Sequence, residues 1–368
     1  MELDKRLTPP DYKNCLANIP NSVLKQFGVP TVGDTLPQLD RLLAEREYKN
    51  VVLLLLDGMG THILNETLAE DGFLRSHFRE SISSVFLATT VAATTSALSG
   101  LQPCEHSWLG WDCYYPSVDK NVTVFLNTVQ GTETPAADYN IARTVTPYEG
   151  AVERINKAGG QAHYSFPFAP PFPQTIEDIC GRIKELCAQD GKKYIYAYWN
   201  EPDDLLHRHG RCSDEVKEAL ACIERVVGET ASKLSDTLFI ITADHGHINN
   251  RPVYLWDYPE IEDCLVRTPS LEPRVLNLFV KADREAEFEE RFNAEFGRDF
   301  VLLPTEKVLE MKLFGTGKEH AEFRRMLGNY IAIAASDLSI YFTDEHWKAM
   351  HGSLTPDEME IPFIVYEC

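Results

Sequence analysis

The sequence predicts an α/β fold, with a mostly parallel central sheet, helices on both of its faces and a smaller α+β subdomain inserted late in the chain. Three observations predict it. Short, continuously apolar runs recur along the chain, as they do in strands buried on both faces of a parallel sheet. Amphipathic stretches with helical spacing lie between those runs. Between residues 251 and about 325 the texture changes to short β-rich runs around one charged helix.

Taken in order, the clearest strands are Val51–Leu56, Tyr194–Trp199, Leu238–Thr242 and Ile361–Tyr366, with weaker ones near Ser83–Leu87 and Ala162–Phe166. The intervening "PYEGAVERINKAGG" and "PQTIEDICGRIKELCAQDG" carry proline in front and glycine behind, and "SDEVKEALACIERVVGETASKL" opens on a Ser213 cap. These place residues 1–250 and 326–368 in one α/β core, interrupted by the 251–325 insertion. Sequence repeats and low-complexity segments are absent.

Composition narrows the function. The 368 residues are 44% hydrophobic and 25% charged, as in a globular protein. A net charge of -21 argues against a nucleic acid polymer or an anionic membrane as partner, because both demand a basic face. A small phosphate ester remains open, since bound cations can invert the local field. The leading residues have no signal-peptide run, and no apolar stretch reaches membrane-spanning length. Nine cysteines without a CxxC pair fit a reducing compartment, so a cytoplasmic location is expected. "NVT" at Asn121 is read as a chance match to a glycosylation acceptor.

Parallel sheets gather ligands at the carboxyl ends of their strands, and there the chemistry concentrates. Asp57 follows the apolar run of "VVLLLLDGMG", with Gly58 and Gly60 allowing a close backbone turn. After "YIYAYW", Asp203 and His207 stand four apart, so on a starting helix they share a face. "ITADHGH" brings Asp244 and His245 to the next strand end, with His247 as outer support, and His351 precedes the last strand. Each alone reads as a cap, turn or loop residue; Asp204 points elsewhere, and His106, His209 and His346 are read as structural or solvated. Together, three acids and three histidines divide naturally into two three-ligand, zinc-like sites with open positions. In "SSVFLATTVAATTSALSG", a threonine, Thr89 or Thr90, opens a small-residue helix whose amino end suits a phosphoryl oxygen.

The order Asp57, Thr90, Asp203-xxx-His207, Asp244-His245, His351 resembles the alkaline phosphatase superfamily, and within it the type I phosphodiesterase/nucleotide pyrophosphatase branch. The resemblance covers the core but not the insertion. It implies two divalent metal ions, zinc, one held by Asp203, His207 and His351 and the other by Asp57, Asp244 and His245. It also implies Thr90 as nucleophile, ten residues before the Gly100 that closes the helix, and hydrolysis through a phospho-threonine. The asparagine that family phosphodiesterases often carry shortly after the nucleophile has alanines in its neighbourhood here, "TTVAATTS". The sulfatase Cys/Ser-x-Pro-x-Arg pattern is missing, as is the arginine of alkaline phosphatase monoesterases.

The expected activity is therefore metal-dependent hydrolysis of phosphodiesters or nucleotide pyrophosphates. A phosphomonoesterase, phosphonate or sulfate ester hydrolase or phosphomutase with the same site is the alternative, and a non-enzymatic binding protein is a third class. The run "HSWLGWDCYYP" offers Trp108 and Trp111, and beside them Tyr114 and Tyr115, to stack on the organic part of a substrate. Oligomeric state leaves no mark in the sequence.

Overall fold

Asn50–Leu56 is buried at every position, so the sheet it belongs to is covered on both faces. In this computed structural model, which describes residues 3–368, that strand lies inside a six-stranded sheet. Its order is Phe78–Ser83, Glu360–Glu367, Thr237–Thr242, Asn50–Leu56, Lys193–Trp199, Gln161–Ser165. The last four run parallel, with Leu55 level with both Thr242 and Tyr198. Glu360–Glu367 runs antiparallel to both its neighbours. That reversal matters for the site, because the start of an antiparallel strand lies at the edge where its parallel neighbours end.

Helices Ile176–Ala188 and Asp214–Ala231 pack on each other, and Asn18–Gln26 on Ala151–Lys157. Their apolar stripes join the strands in one core. Ser213 accepts from the Val216 N–H, as its position predicts, and Thr175, two residues after Pro173, caps Ile176–Ala188 by accepting from the Asp178 N–H. The weak strand expected near Ser83–Leu87 ends at Ser83. Residues beyond it turn away from the sheet toward the Thr90–Ser99 helix.

A second sheet has seven strands, all paired antiparallel, in the order Phe300–Pro304, Tyr330–Ala334, Val275–Leu278, Ser270–Glu272, Asp112–Tyr115, Lys120–Thr123, Thr128–Val129. Its membership differs from the expected 251–325 block. Three strands come from residues 112–129 and one from 330–334, because short edge strands far apart in sequence complete the ladder. One apolar cluster on this sheet includes Phe86, Leu87, Ala88 and Val91, so the segment leading into the Thr90–Ser99 helix is packed against it. Another surrounds the Glu285–Phe296 helix through Phe288, Phe292 and Phe296. Among the described residues, no helix is long and apolar enough to cross a membrane. Asn121 is buried in the ladder, its amide donating to Gln130 and to the Thr268 carbonyl, so the chance reading of its "NVT" suits the fold.

Candidate active site

The carboxyl ends of three adjacent strands deliver the acids. Asp57 directly follows Leu56, and its N–H donates to the Trp199 carbonyl while its own carbonyl accepts from Asp203 N–H. The Asp244 carboxylate accepts from Gly58 N–H at 3.1 Å. A β-carbon on Gly58 (φ +73°) would lie 3.0 Å from both the Asp203 Cα and His247 Nε2, and one on Gly60 would meet the Gly246 backbone at 2.4 Å. These glycines let the strand-end turns come together.

His207 follows Asp203 by one helical turn, its Nε2 3.5 Å from Asp203 Oδ1 and its Nδ1 2.9 Å from the Ala349 carbonyl oxygen. His351 reaches the same oxygen at 3.7 Å. It does so because the loop before the antiparallel strand passes this edge, where Ala88 and Gly352 form an isolated bridge. The stacked His245 and His351 rings, 3.8 Å apart, join the two halves of the site.

Thr90 is the first residue of the Thr90–Ser99 helix, with Thr89 as its extended cap and Gly100 (φ +78°) as its left-handed stop. The Thr90 hydroxyl lies 3.2 Å from His245 Nε2 and 3.5 Å from Asp57 Oδ1. All seven residues singled out as ligands and nucleophile therefore lie at one sheet edge.

The electrostatics are those of a cation site. Burial, then the charges of Asp244 and Asp203, push Asp57 well above the carboxylate range, and burial pushes Asp244 up to about 7. Burial works against ionisation of Asp203 too, yet His207, His247 and His351 around it hold it well below that range. Burial pushes His245 down to about 3 and lowers His247 and His351, leaving neutral imidazoles with free lone pairs. Ligand atoms of Asp57, Asp244 and His245 lie within 4.8 Å of one another, as do those of Asp203, His245, His247 and His351. Asp244 Oδ2 is buried with no hydrogen-bond partner, a state that normally costs about 1–3 kcal/mol or more. Crowded carboxylates, neutral histidines and an orphaned oxygen together fit a divalent metal.

A protein-family comparison matches residues 51–353 to the type I phosphodiesterase/nucleotide pyrophosphatase family. The chain belongs to that family. It is a phosphoester hydrolase of the nucleotide pyrophosphatase/phosphodiesterase type. The fold agrees. Murine ectonucleotide pyrophosphatase/phosphodiesterase 5, an inactive variant in complex with AMP, superposes with a TM-score of 0.65 at 18% identity, over 88% of each chain. The human protein of the same name gives the same TM-score and identity over the same share of each chain. Phosphonoacetate hydrolase from Sinorhizobium meliloti in complex with phosphonoformate gives 0.61 at 14% identity, over 87% of this chain and 90% of that one. No curated protein sequence gives a significant match.

Beside Thr90 this phosphodiesterase family member has a cleft of about 1140 Å³, lined in large part by aromatic rings. Trp108 and Trp111 both line it. Trp108 is buried and donates its indole N–H to the Thr146 carbonyl, while Trp111 is 41% exposed at the rim. Tyr114 and Tyr115 do not; Tyr114 packs on Phe279 under Arg267, and Tyr115 is buried in the second sheet's core. His106 is structural, held by Ser96 and the Trp108 N–H. His346 meets Tyr254, His209 faces Glu215, and Asp204 pairs with Arg208 away from the cluster.

Sequence reasoning missed Tyr198, whose hydroxyl donates to Asp57 Oδ2 and whose ring lines the cleft. The signal was present, since Tyr196 and Tyr198 alternate on one face of their strand and both line the cleft. His247, read as outer support, has Nε2 2.6 Å from Asp203 Oδ1, and it also lies in the group of Asp203, His245 and His351 that could hold an ion.

Proposed function

We propose that the chain hydrolyses phosphodiesters or nucleotide pyrophosphates by way of Thr90, and that the organic arm of the substrate lies in the aromatic cleft. One observation carries the reading: Thr90 lines that cleft while its hydroxyl lies within 3.5 Å of both Asp57 and His245.

Asp57, Asp244 and His245 would hold one divalent ion and Asp203, His207 and His351 the other. When bound, two such ions, zinc by the nitrogen and oxygen donor set, lower the pKa of a neighbouring hydroxyl and neutralise charge on a phosphoryl group. Asp57 Oδ1 and His245 Nε2 orient the Thr90 hydroxyl toward phosphorus. The Thr90 hydroxyl loses its proton to solvent, and its oxygen forms a bond to phosphorus as the P–O bond to the departing alkoxide, or to the departing phosphate of a pyrophosphate, breaks. Water then attacks the phospho-threonine, and the Thr90 oxygen leaves. The amino end of the Thr90–Ser99 helix faces the phosphoryl oxygens with its free N–H groups. Tyr198 steadies Asp57 throughout.

The AMP bound by the murine relative and the phosphonoformate bound by the bacterial hydrolase support a small phosphate or phosphonate ligand. Phosphonate hydrolysis is the second reading, favoured by that bacterial likeness. The size and aromatic lining of the cleft favour a larger organic group. A panel of nitrophenyl phosphodiesters, monoesters and phosphonates tests the order of preference. Higher kcat/KM on diesters supports the first reading, and preference for small phosphonates overturns it.

A further inference from the structure

Glu272 lies outside both ligand clusters, at the end of a strand in the second sheet, yet it is buried beside the nucleophile turn. We propose that Glu272 is a positioning residue that fixes the Thr90 turn and the Trp111 wall of the cleft relative to each other; the proposal rests on Thr90 being the nucleophile.

A single oxygen makes both ties. Glu272 Oε1 accepts from the Thr89 hydroxyl at 2.6 Å and from the Trp111 N–H at 2.9 Å. A threonine at a helix cap ordinarily turns its oxygen onto the first N–H groups of the helix. Thr89 makes no such cap bond and donates outward instead. This has two consequences. The first-turn N–H groups stay clear of side-chain capping, and the direction of the turn is set by a carboxyl from the other sheet.

A third contact locks the same corner. Gly352 (φ +117°) packs against Glu272 so closely that a β-carbon there would lie 3.2 Å from its Cβ and Cγ. Gly352 also bridges Ala88, two residues before Thr90. Nucleophile turn, His351 loop and cleft wall thus converge on one side chain. Burial pushes the Glu272 carboxyl up to about 8, so near neutral pH glutamine is its close isostere.

The test is steady-state kinetics of the metal-loaded enzyme on bis(p-nitrophenyl) phosphate and on the smaller methyl p-nitrophenyl phosphate, with bound metal measured in each variant. Glu272→Ala and Thr89→Val should each lower kcat on both esters by roughly 10- to 100-fold with metal content unchanged, the range expected for a misplaced reacting group. Glu272→Gln and Thr89→Ser should recover to within roughly threefold of wild type, since each keeps the hydrogen bond. Only Glu272→Ala frees Trp111, so only it should raise KM for the larger ester above that for the smaller. The proposal is overturned if Glu272→Ala keeps full kcat, or if Glu272→Gln is as impaired as Glu272→Ala. Should Glu272→Ala fail to fold, the Thr89→Val and Thr89→Ser pair decides: equal kcat in both overturns it. Wild-type enzyme inactive on every phosphoester would instead overturn the Thr90 reading beneath it.

Discussion

The two halves of the site are built from similar parts but are electrically opposite. Around Thr90, two buried carboxyls, Asp57 and Asp244, share one imidazole, and both are pushed toward protonation. Around Asp203, one carboxylate sits among His207, His247 and His351 and is held ionised. The first half favours a cation, because burial and mutual repulsion disfavour its two negative charges and leave Asp244 Oδ2 without a hydrogen-bond partner. In the second, the single carboxylate of Asp203 has His247 Nε2 at 2.6 Å and faces His207 and His351. Ligand count alone hides this difference, and it dictates how each half responds to perturbation.

The largest effect is expected on the Thr90 side. Thr90→Ala should lower turnover by about 10³-fold or more, as loss of a nucleophile does, while bound metal measured by mass spectrometry stays near wild type. Asp244→Asn should weaken metal binding in that half by roughly 100-fold or more, beyond the 10- to 100-fold typical of outer supports, as read by competition with a chelating dye. His247→Gln tests the other half. It removes the 2.6 Å tie to Asp203 and should weaken metal binding about 10-fold, leaving the Thr90 half unchanged. Equal losses in both halves would break the distinction.

Stability against pH separates the halves with a smaller signal. A carboxyl whose folded pKa is raised stabilises the fold only while protonated. The contribution of Asp244 is therefore complete below the ordinary value of about 3.9 and is lost as pH rises through about 7. Chelator-treated protein should show a Tm that falls across that window, and metal-loaded protein should not. Asp203 acts with the opposite sign, its contribution present above the ordinary carboxylate value and lost only in stronger acid. The smallest effect belongs to the rim: Trp111→Ala should raise KM for aromatic diesters by roughly 10-fold at most and leave small esters unaffected.

Legibility in the sequence followed locality. Asp57, Asp203 with His207, and Asp244 with His245 could be read because each follows an apolar run directly or within a few residues, and a parallel sheet gathers such ends. His351 could be located, but not why it reaches the site, since the reversed direction of Glu360–Glu367 leaves no mark in a short apolar strand. The 251–325 insertion and the second sheet do not coincide, because residues 112–129 and 330–334 join that sheet through ladder pairing rather than through sequence neighbourhood. Glu272 was invisible for the same reason. Its partners Thr89 and Trp111 lie more than 150 residues away along the chain, and nothing in "SLEPRV" marks its glutamate.

Anomalous X-ray diffraction from zinc-loaded crystals decides whether two ions meet beside Thr90. Two peaks are expected, one against Asp57, Asp244, His245 and the Thr90 oxygen, the other against Asp203, His207 and His351. A single peak, or one remote from Thr90, would contradict this arrangement.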